Sequence, residues 1–171
     1  MSRAFVRESD DRPELPIARQ ASPLPAGAKN YLTPGGASRL REQLRLLMEQ
    51  ERPRLIAIAD DPLIRTRLLT LEQQIDQLER SLLSAEIVPP PAESTDTIRF
   101  GATVSVRRNN GEDDTYRIVG VDEVDLDRGW VSWLSPIAKA LLNARAGERV
   151  RFKFPSGEED LEIRRVEYEN L

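Results

Sequence analysis

Between residues 64 and 82, large aliphatic residues recur at alternating spacings of four and three, which is the heptad repeat of a coiled-coil seam. A helix with one such apolar stripe has to bury it against another element, and a second helix is a common partner. The repeat therefore predicts a helix from about Pro62 to Ile87 that packs on a neighbouring helix. The seam residues are Ile64, Leu68, Leu71, Ile75, Leu78 and Leu82.

A partner helix is predicted immediately before this seam. Thr33 and Pro34 suit a helix start, because threonine caps the first turn and proline fits the first helical position. The segment extends to about Ala59, and Pro53 predicts a kink or a local opening within it. Its stripe comprises Leu40, Leu44, Leu47, Leu55 and Ile58, with Glu51 at one seam position.

A short turn separates the two predicted helices. Asp60-Asp61-Pro62 breaks the first pattern, since aspartate favours turns and caps and proline can begin a new helix. Two helices of similar length joined in this way fold back as an antiparallel coiled-coil hairpin, here over residues 32–88. Because nothing in the sequence covers their outer faces, we expect the hairpin to project as a rod.

The rest of the chain divides into three parts. Residues 1–31 contain four prolines and no sustained period, which indicates a disordered or loosely held arm or, alternatively, a docking peptide. Residues 89–97 form a proline-rich linker. Residues 98–171 have the texture of a small β-rich domain. The predicted fold class is therefore α+β, with a helical hairpin followed by a β-rich domain.

Alternating and β-branched segments with turn signals between them define the strands of this domain. Asn109-Asn110-Gly111 and Pro155-Ser156-Gly157 favour hairpin turns. Ser135 as N-cap and Pro136 as first helical residue predict one short helix. The predicted strands are residues 98–106, 115–121, 130–134, 148–154 and 159–168.

Composition excludes several classes of function. The chain has no cysteine and no histidine, so disulfides, thiolate nucleophiles, the usual zinc sites and histidine acid–base chemistry are absent. Any metal would need oxygen ligands, which magnesium and calcium prefer. The net charge of −4 argues against tight binding to a nucleic-acid backbone. No apolar run is long enough to span a membrane and no signal peptide is recognisable, so we expect a cytoplasmic location.

Several ordered blocks of sequence resemble the Gre family of bacterial transcription elongation factors. LTPGGASRLREQL and ERPRLIAIA resemble the family's first helix, and the residues KNYLTPGG are similar to the GreB side of the family. FGATVSV, TYRIVGVDEVD and SPIAKALL resemble signature blocks of its C-terminal domain, and VEY resembles its last strand. The resemblance covers about residues 29–171.

This resemblance implies a fold and a partner. In the family, the helical rod enters the secondary channel of RNA polymerase, and the C-terminal domain has an FKBP-like fold. The protein would then be an accessory factor and not an enzyme, because the polymerase itself catalyses any RNA cleavage. We expect a monomer that binds no cofactor stably, contacts nascent RNA only indirectly and has no membrane contact.

The chain departs from the family at the turn between the helices. The family motif Gly-Asp-x-x-Glu-Asn-Ala-Asp/Glu-Tyr, whose carboxylates help to hold the second magnesium ion of the polymerase, is absent here. The hairpin is also about a dozen residues short, which removes roughly 9 Å of rod at 1.5 Å per residue. A carboxylate binds magnesium at about 2.1 Å, so a side-chain rotamer cannot close that gap.

Charged residues at and near the new tip permit two interpretations. Asp60 and Asp61 are either a replacement acidic pair that shares magnesium with the polymerase, or ordinary chemistry for ending one helix and starting the next. The flanking arginines either line the channel and face RNA or form the solvated face of a charged hairpin. These arginines are Arg52, Arg54, Arg65 and Arg67.

In the family, the acidic segment and the Ser-Pro-Ile segment of the C-terminal domain lie close to the polymerase, so the matching residues are candidates for docking. Ser135 and Pro136 can also act simply as a helix cap. Trp130 and Trp133 lie three apart on a strand, so we expect them on opposite faces, with one exposed as an interface anchor. The candidate docking residues are Asp122, Glu123, Asp125, Ser135, Pro136 and Ile137.

These patterns favour a polymerase-binding regulator that acts through the secondary channel, with weak or no stimulation of transcript cleavage. One alternative is an active cleavage factor that uses Asp60 and Asp61 as magnesium ligands. An alternative of another class is an adaptor whose hairpin binds a different helical protein. An exposed hydrophobic edge on the hairpin would favour the adaptor.

Overall fold

The computed structural model describes residues 24–93 and 95–169, and most of the predicted arm lies outside these ranges. Its N-terminal part contains two helical arms. The first arm comprises α1 (Pro34–Leu46), a π-helical turn (Leu47–Glu51) and α2 (Arg52–Ala57), and the second is α3 (Pro62–Ser84). Both α1 and α2 contact α3, so the two arms pack side by side along their lengths.

The starts of both arms follow the predicted capping chemistry. The hydroxyl of Thr33 accepts a hydrogen bond from Gly36 N at 2.9 Å, and Pro34 is the first helical residue of α1. The carboxylate of Asp61 accepts one from Leu63 N at 2.8 Å, and Pro62 opens α3. Capping side chains satisfy backbone N–H groups that have no partner inside the helix.

The π-helical turn changes which residues of the first arm face α3. A π turn contains one extra residue, which rotates the following face by about 100° relative to a regular α-helix. Leu55 and Ala59 are half-buried, whereas Ile58 is 56% exposed and Glu51 is exposed. The predicted seam is therefore wrong at Ile58. The turn lies just before Pro53, whose missing N–H and bulky ring disfavour a regular helix there.

The heptad seam of α3 faces inward as predicted. Leu71 and Ile75 are buried, at 7% and 6% exposed, and the other four seam residues are half-buried. Two helices alone cover only part of each other's apolar stripe, so full burial is confined to the middle of the seam.

A short parallel ladder fastens the base of the two arms. Strand β1 (Asn30–Leu32) pairs with β2 (Ala85–Ile87), and Val88 N donates to Leu32 O at 2.9 Å. The second helix thus ends at Ser84, three residues earlier than predicted, and the chain becomes extended. Strand β1 includes two residues that the sequence assigned to the arm. Leu32, Ala37 and Leu40 form a small buried cluster at this base.

The C-terminal part is a five-stranded sheet with one short helix, α4 (Pro136–Leu141). The strand order is β5-β4-β3-β7-β6, antiparallel except for the parallel β4–β5 pair. The predicted hairpin turns join β3 to β4 and β6 to β7. The strands are β3 (Thr103–Arg108), β4 (Asp113–Val119), β5 (Trp130–Ser132), β6 (Arg149–Phe154) and β7 (Gly157–Glu167).

One face of this sheet carries the main core, and α4 contributes to it. Alternate residues of the central strands point to the core, as the two-residue period of a strand requires. Ala138 and Leu141 of α4 are fully buried within the same cluster. The fully buried sheet residues of the cluster include Val104, Val106, Ile118 and Ile163. The chain is therefore α+β, as the sequence indicates.

We expect Ile163→Ala to lower the free energy of unfolding by about 3 kcal/mol, because it removes buried methyl groups and leaves a cavity. Leu83→Ala is the matched control, since Leu83 is 90% exposed and its truncation should change stability by less than about 0.5 kcal/mol. Urea unfolding followed by tryptophan fluorescence measures both, since Trp130 and Trp133 lie in the C-terminal part. Equal losses in the two variants would contradict this placement of the core.

Candidate functional site

The carboxylate of Glu123 joins the helical arms to the C-terminal sheet. It accepts hydrogen bonds from Thr33 N at 2.8 Å, from the Thr33 hydroxyl and from Gly120 N at 3.1 Å. Arg39 on α1 adds an ion pair at 3.3 Å. The side chain of Glu123 is only 1% exposed, so its charge is satisfied entirely by these donors.

Two glycines make room for this joint. A side chain at Gly36 would overlap the Glu123 carboxylate, and one at Gly120 would overlap the backbone oxygen of Tyr31. Glycine is therefore required at both positions by the close approach of other groups. The joint is a packed interface in which α1 begins directly against the loop after β4.

Aromatic and polar contacts widen this interface. The ring of Tyr31 lies 5.1 Å from that of Trp133 and 5.7 Å from that of Phe100. Ser81 on α3 donates a hydrogen bond to the Asp122 carboxylate. Both helical arms thus contact the sheet domain, which fixes the direction in which the hairpin points from it.

A second ion pair lies beside the start of α1. Arg117, buried within β4, donates two hydrogen bonds to the carboxylate of Glu169, one of them at 2.7 Å. Hydrogen bonding to Arg117 holds the pKa of Glu169 below its usual range. Thr33 and Gly35 line a shallow pocket together with Arg117 and Glu169, so the end of the described chain adjoins the hairpin base.

Some of the predicted docking residues are bound to other groups of the protein, and others are accessible. Glu123 is buried and Asp122 is bound to Ser81, so both belong to the joint in this conformation. Asp125 accepts from Arg128 N at 3.3 Å and stabilises its own turn. The family resemblance made this acidic segment a docking candidate, but the side-chain packing shows that part of it faces inward.

The Ser-Pro-Ile segment is arranged partly as predicted. The hydroxyl of Ser135 accepts from Ala138 N at 3.2 Å and caps α4. Pro136 is exposed, whereas Ile137 is half-buried against the main core. Pro136 is therefore the accessible member of the segment.

Neither tryptophan matches the expectation of one exposed anchor, because both are half-buried. Trp133 packs on the core and on Tyr31. The indole of Trp130 is contacted by three guanidinium groups at 4.7–5.4 Å, which gives cation–π attraction and covers the ring. The guanidinium groups belong to Arg39, Arg117 and Arg128.

The hairpin tip is a tight turn of four residues between α2 and α3. Both Asp60 and Asp61 are exposed, and the Asp61 carboxylate caps α3. Arg65 donates to Ala59 O at 2.9 Å and to Asp60 O at 3.1 Å. The turn is therefore stabilised by its own side chains, and its carboxylates are brought to one end of the rod.

The basic residues near the tip are mostly engaged within the hairpin. Arg52 pairs with Glu72 across the two arms at 2.6 Å, and Arg54 pairs with Glu51 at 3.2 Å. Arg65 hydrogen-bonds the turn, and Arg67 is exposed. The structure does not gather the four arginines into one cluster of free cations.

Large apolar side chains at the tip were not predicted as a site. Ile56, Ile58 and Leu63 are 54%, 56% and 60% exposed. Within the described residues, no group of three or more potential metal-ligating side chains is close enough to hold an ion. In the same part of the chain, no helix has the length and apolarity needed to cross a membrane.

We expect Glu123→Ala to destabilise the protein by about 3 kcal/mol, because it leaves buried donors on Thr33 and Gly120 without an acceptor. Asp127→Ala is the matched control, because this nearby carboxylate is exposed and its removal should cost less than about 0.5 kcal/mol. Thermal unfolding and amide exchange at the start of α1 measure both effects. A second variant, Gly36→Ala, should also expel the Glu123 carboxylate, and unchanged exchange in both variants would contradict the joint.

The Arg117–Glu169 pair predicts a stability loss at acid pH. Because the pKa of Glu169 is lower in the folded protein than in the unfolded chain, the pair stabilises the fold fully above the ordinary glutamate pKa. This contribution disappears as the pH falls through the lowered value. Glu169→Gln should therefore be less stable than the parent at neutral pH. It should lose less stability than the parent as the pH falls from the ordinary glutamate pKa through the lowered pKa of Glu169. Parallel pH profiles of unfolding for the two proteins would exclude this contribution.

Comparison with known proteins identifies relatives over most of the chain. The family model described as "Transcription elongation factor, GreA/GreB, C-term" matches residues 93–168. The GreB factor of Neisseria meningitidis serogroup B is 37% identical over 154 residues, covering 82% of this chain and 94% of that protein. The GreA factor of Alkalilimnicola ehrlichii is 38% identical over 156 residues, covering 82% and 99%.

Two solved structures are also similar to this chain. GreA factor homolog 1 of Thermus thermophilus is 25% identical with a TM-score of 0.39, covering 82% of this chain and 99% of that one. A GreA/GreB factor from Nitrosomonas europaea is 24% identical with a TM-score of 0.41, covering 82% and 100%. The sequence relationships to GreB and GreA, which extend over both the helical arms and the sheet domain, establish that this chain belongs to the GreA/GreB family of transcription elongation factors.

Proposed function

We propose that this protein is an accessory factor that binds RNA polymerase and regulates elongation through the secondary channel. Relatives named as elongation factors align with it over 94–99% of their own lengths, which supports a role in the same process. In this proposal the sheet domain, with an FKBP-like fold, docks at the channel entrance. The two helical arms form an antiparallel coiled coil that enters the channel, close to the nascent RNA.

The hairpin enters only part of the way. Helix α3 has 23 residues and is about 34 Å long at 1.5 Å per residue. The alignment with GreB spans 154 positions but only 82% of this chain, about 140 residues, so about 14 aligned positions face a gap here. A deletion of that size shared between two arms supports a rod shortened by roughly 10 Å.

The protein gives weak or no stimulation of transcript cleavage. The observation that carries this proposal is the tip, where four residues join the helices and no acidic loop extends beyond them. Metal-assisted cleavage needs oxygen ligands held at the metal, and a short rod leaves its carboxylates away from the catalytic centre of the polymerase. Occupying the channel could then alter nucleotide entry or exclude other factors, and the polymerase would catalyse any cleavage.

Two other functions remain as alternatives to test. An active cleavage factor would use Asp60 and Asp61 to share a magnesium ion with the polymerase, and both side chains are exposed at the tip. An adaptor for another helical protein would use the outer faces of the hairpin. Leu69 and Leu83, at 67% and 90% exposed, favour that second alternative.

We expect the protein to bind core RNA polymerase in a pull-down and to leave RNA in stalled elongation complexes largely uncleaved. The assay compares the parent protein with Asp60→Ala and Asp61→Ala, and a bona fide GreB factor serves as the positive control. Cleavage should remain within about twofold of the level without factor for all three proteins, because reach limits the carboxylates.

Robust cleavage by the parent that is lost in both variants would establish the cleavage-factor alternative. No affinity for polymerase, together with capture of a helical protein that depends on Leu69 and Leu83, would establish the adaptor. Tight binding without cleavage supports the regulator.

A further inference from the structure

The end of the hairpin exposes large apolar side chains beside the charged residues of the tip turn. Ile56 lies in the last turn of α2, Ile58 follows it, and Leu63 is the second residue of α3. More than half of each side chain is exposed. These three residues, named here the apolar tip, lie within eight consecutive positions on both sides of one tight turn. Single exposed aliphatic residues are ordinary, but here three of them flank one turn at the end of the rod, where a partner could contact them.

The turn that carries the apolar tip is held in one conformation. Asp61 caps α3, and Arg65 donates hydrogen bonds to two backbone oxygens of the turn. These hydrogen bonds order the backbone between the two helices and leave the apolar side chains of the turn exposed. Ordering before contact lowers the entropy cost of binding, which favours a specific partner surface over a loose one.

The charges around the apolar tip disfavour a nucleic acid as the occupant. Arg52 and Arg54 are paired with glutamates of the hairpin and Arg65 is used by the turn, whereas Arg67 is exposed. Two exposed carboxylates, Asp60 and Asp61, lie between Ile58 and Leu63 and would repel a phosphate backbone. The chemistry of the surface therefore fits a protein with an apolar patch.

The size of the apolar tip limits which protein can occupy it. Three half-exposed aliphatic side chains cover far less than the roughly 800 Å² per partner that a stable interface buries. A second copy of this chain could not be held by this contact alone. The occupant must also touch the protein elsewhere, so that the tip adds to an existing interface.

We propose that the apolar tip docks into an apolar patch on the protein wall of RNA polymerase, and that this contact replaces metal-directed carboxylates as the tip's role. This inference rests on the proposed function, because the sheet domain supplies the other contact. The tip then anchors the far end of the rod, because Ile56, Ile58 and Leu63 become buried against the polymerase. Asp60 contributes little to the affinity.

The test measures the affinity of the full chain for core RNA polymerase by biolayer interferometry, with and without magnesium. The tip variant combines Ile56→Ser, Ile58→Ser and Leu63→Ser, and it should bind about 10-fold more weakly, since each partly buried aliphatic group contributes about a factor of two. Leu83→Ser is the matched control, because Leu83 is 90% exposed and lies at the base of the hairpin, far from the tip. The control and Asp60→Asn should bind like the parent. Thermal unfolding checks that all variants are folded, as expected for exposed positions.

Each outcome has one meaning. Parent-like binding by the tip variant, while the parent itself binds, overturns the apolar anchor and leaves the proposed function intact. Equal losses of affinity in the tip variant and in Leu83→Ser would indicate non-specific hydrophobic binding and would also overturn the apolar anchor. Binding that requires magnesium and is lost in Asp60→Asn returns the tip to metal chemistry. Failure of the parent to bind polymerase overturns the proposed function and this inference together.

Discussion

One buried carboxylate, that of Glu123, holds the start of the helical hairpin against the sheet domain, and the geometry of the whole molecule depends on it. It accepts from the backbone and side chain of Thr33 and from the backbone of Gly120, so it fixes both the first turn of α1 and the loop after β4. A rod roughly 34 Å long would move its far end by roughly 6 Å for a 10° rotation at the base. The hairpin therefore has to be attached rigidly to the sheet domain if its tip is to reach a defined position.

Stability along the hairpin falls from base to tip. The base has the buried cluster around Leu32 and the β1–β2 ladder, and the middle has Leu71 and Ile75, but no residue from 41 to 70 is buried. The outer half is held by local contacts, such as the Arg52–Glu72 pair across the arms and the Asp61 cap. Exposed ion pairs contribute little individually, so a longer rod would need a deeper apolar seam to remain stiff.

The sequence predicted those features whose chemistry is local and periodic. The seam of α3, the caps at Thr33, Asp61 and Ser135, and both hairpin turns follow from spacing and backbone preference, which act within a few residues. The sequence predicted a kink or local opening at Pro53, but not its form as a π-helical turn, because the contact with α3 decides how the helix adapts. Glu123 was predicted as a docking residue from its match to the family's acidic segment, and its buried role depends on Thr33, which is 90 positions away in the sequence.

In the proposed function, reach and not the loss of a helix cap decides the chemistry of the tip. Recruiting Asp61 to a metal ion would cost α3 its N-cap, about 1 kcal/mol, which a bound divalent ion could easily offset. Distance cannot be offset in this way, because a carboxylate must approach magnesium to about 2.1 Å and a helix does not stretch. With the base fixed by Glu123, the rod also cannot slide forward to compensate. Under that proposal, a hairpin shortened at a fixed base is better suited to bind with its end than to supply ligands beyond it, and Ile56, Ile58 and Leu63 are exposed at that end.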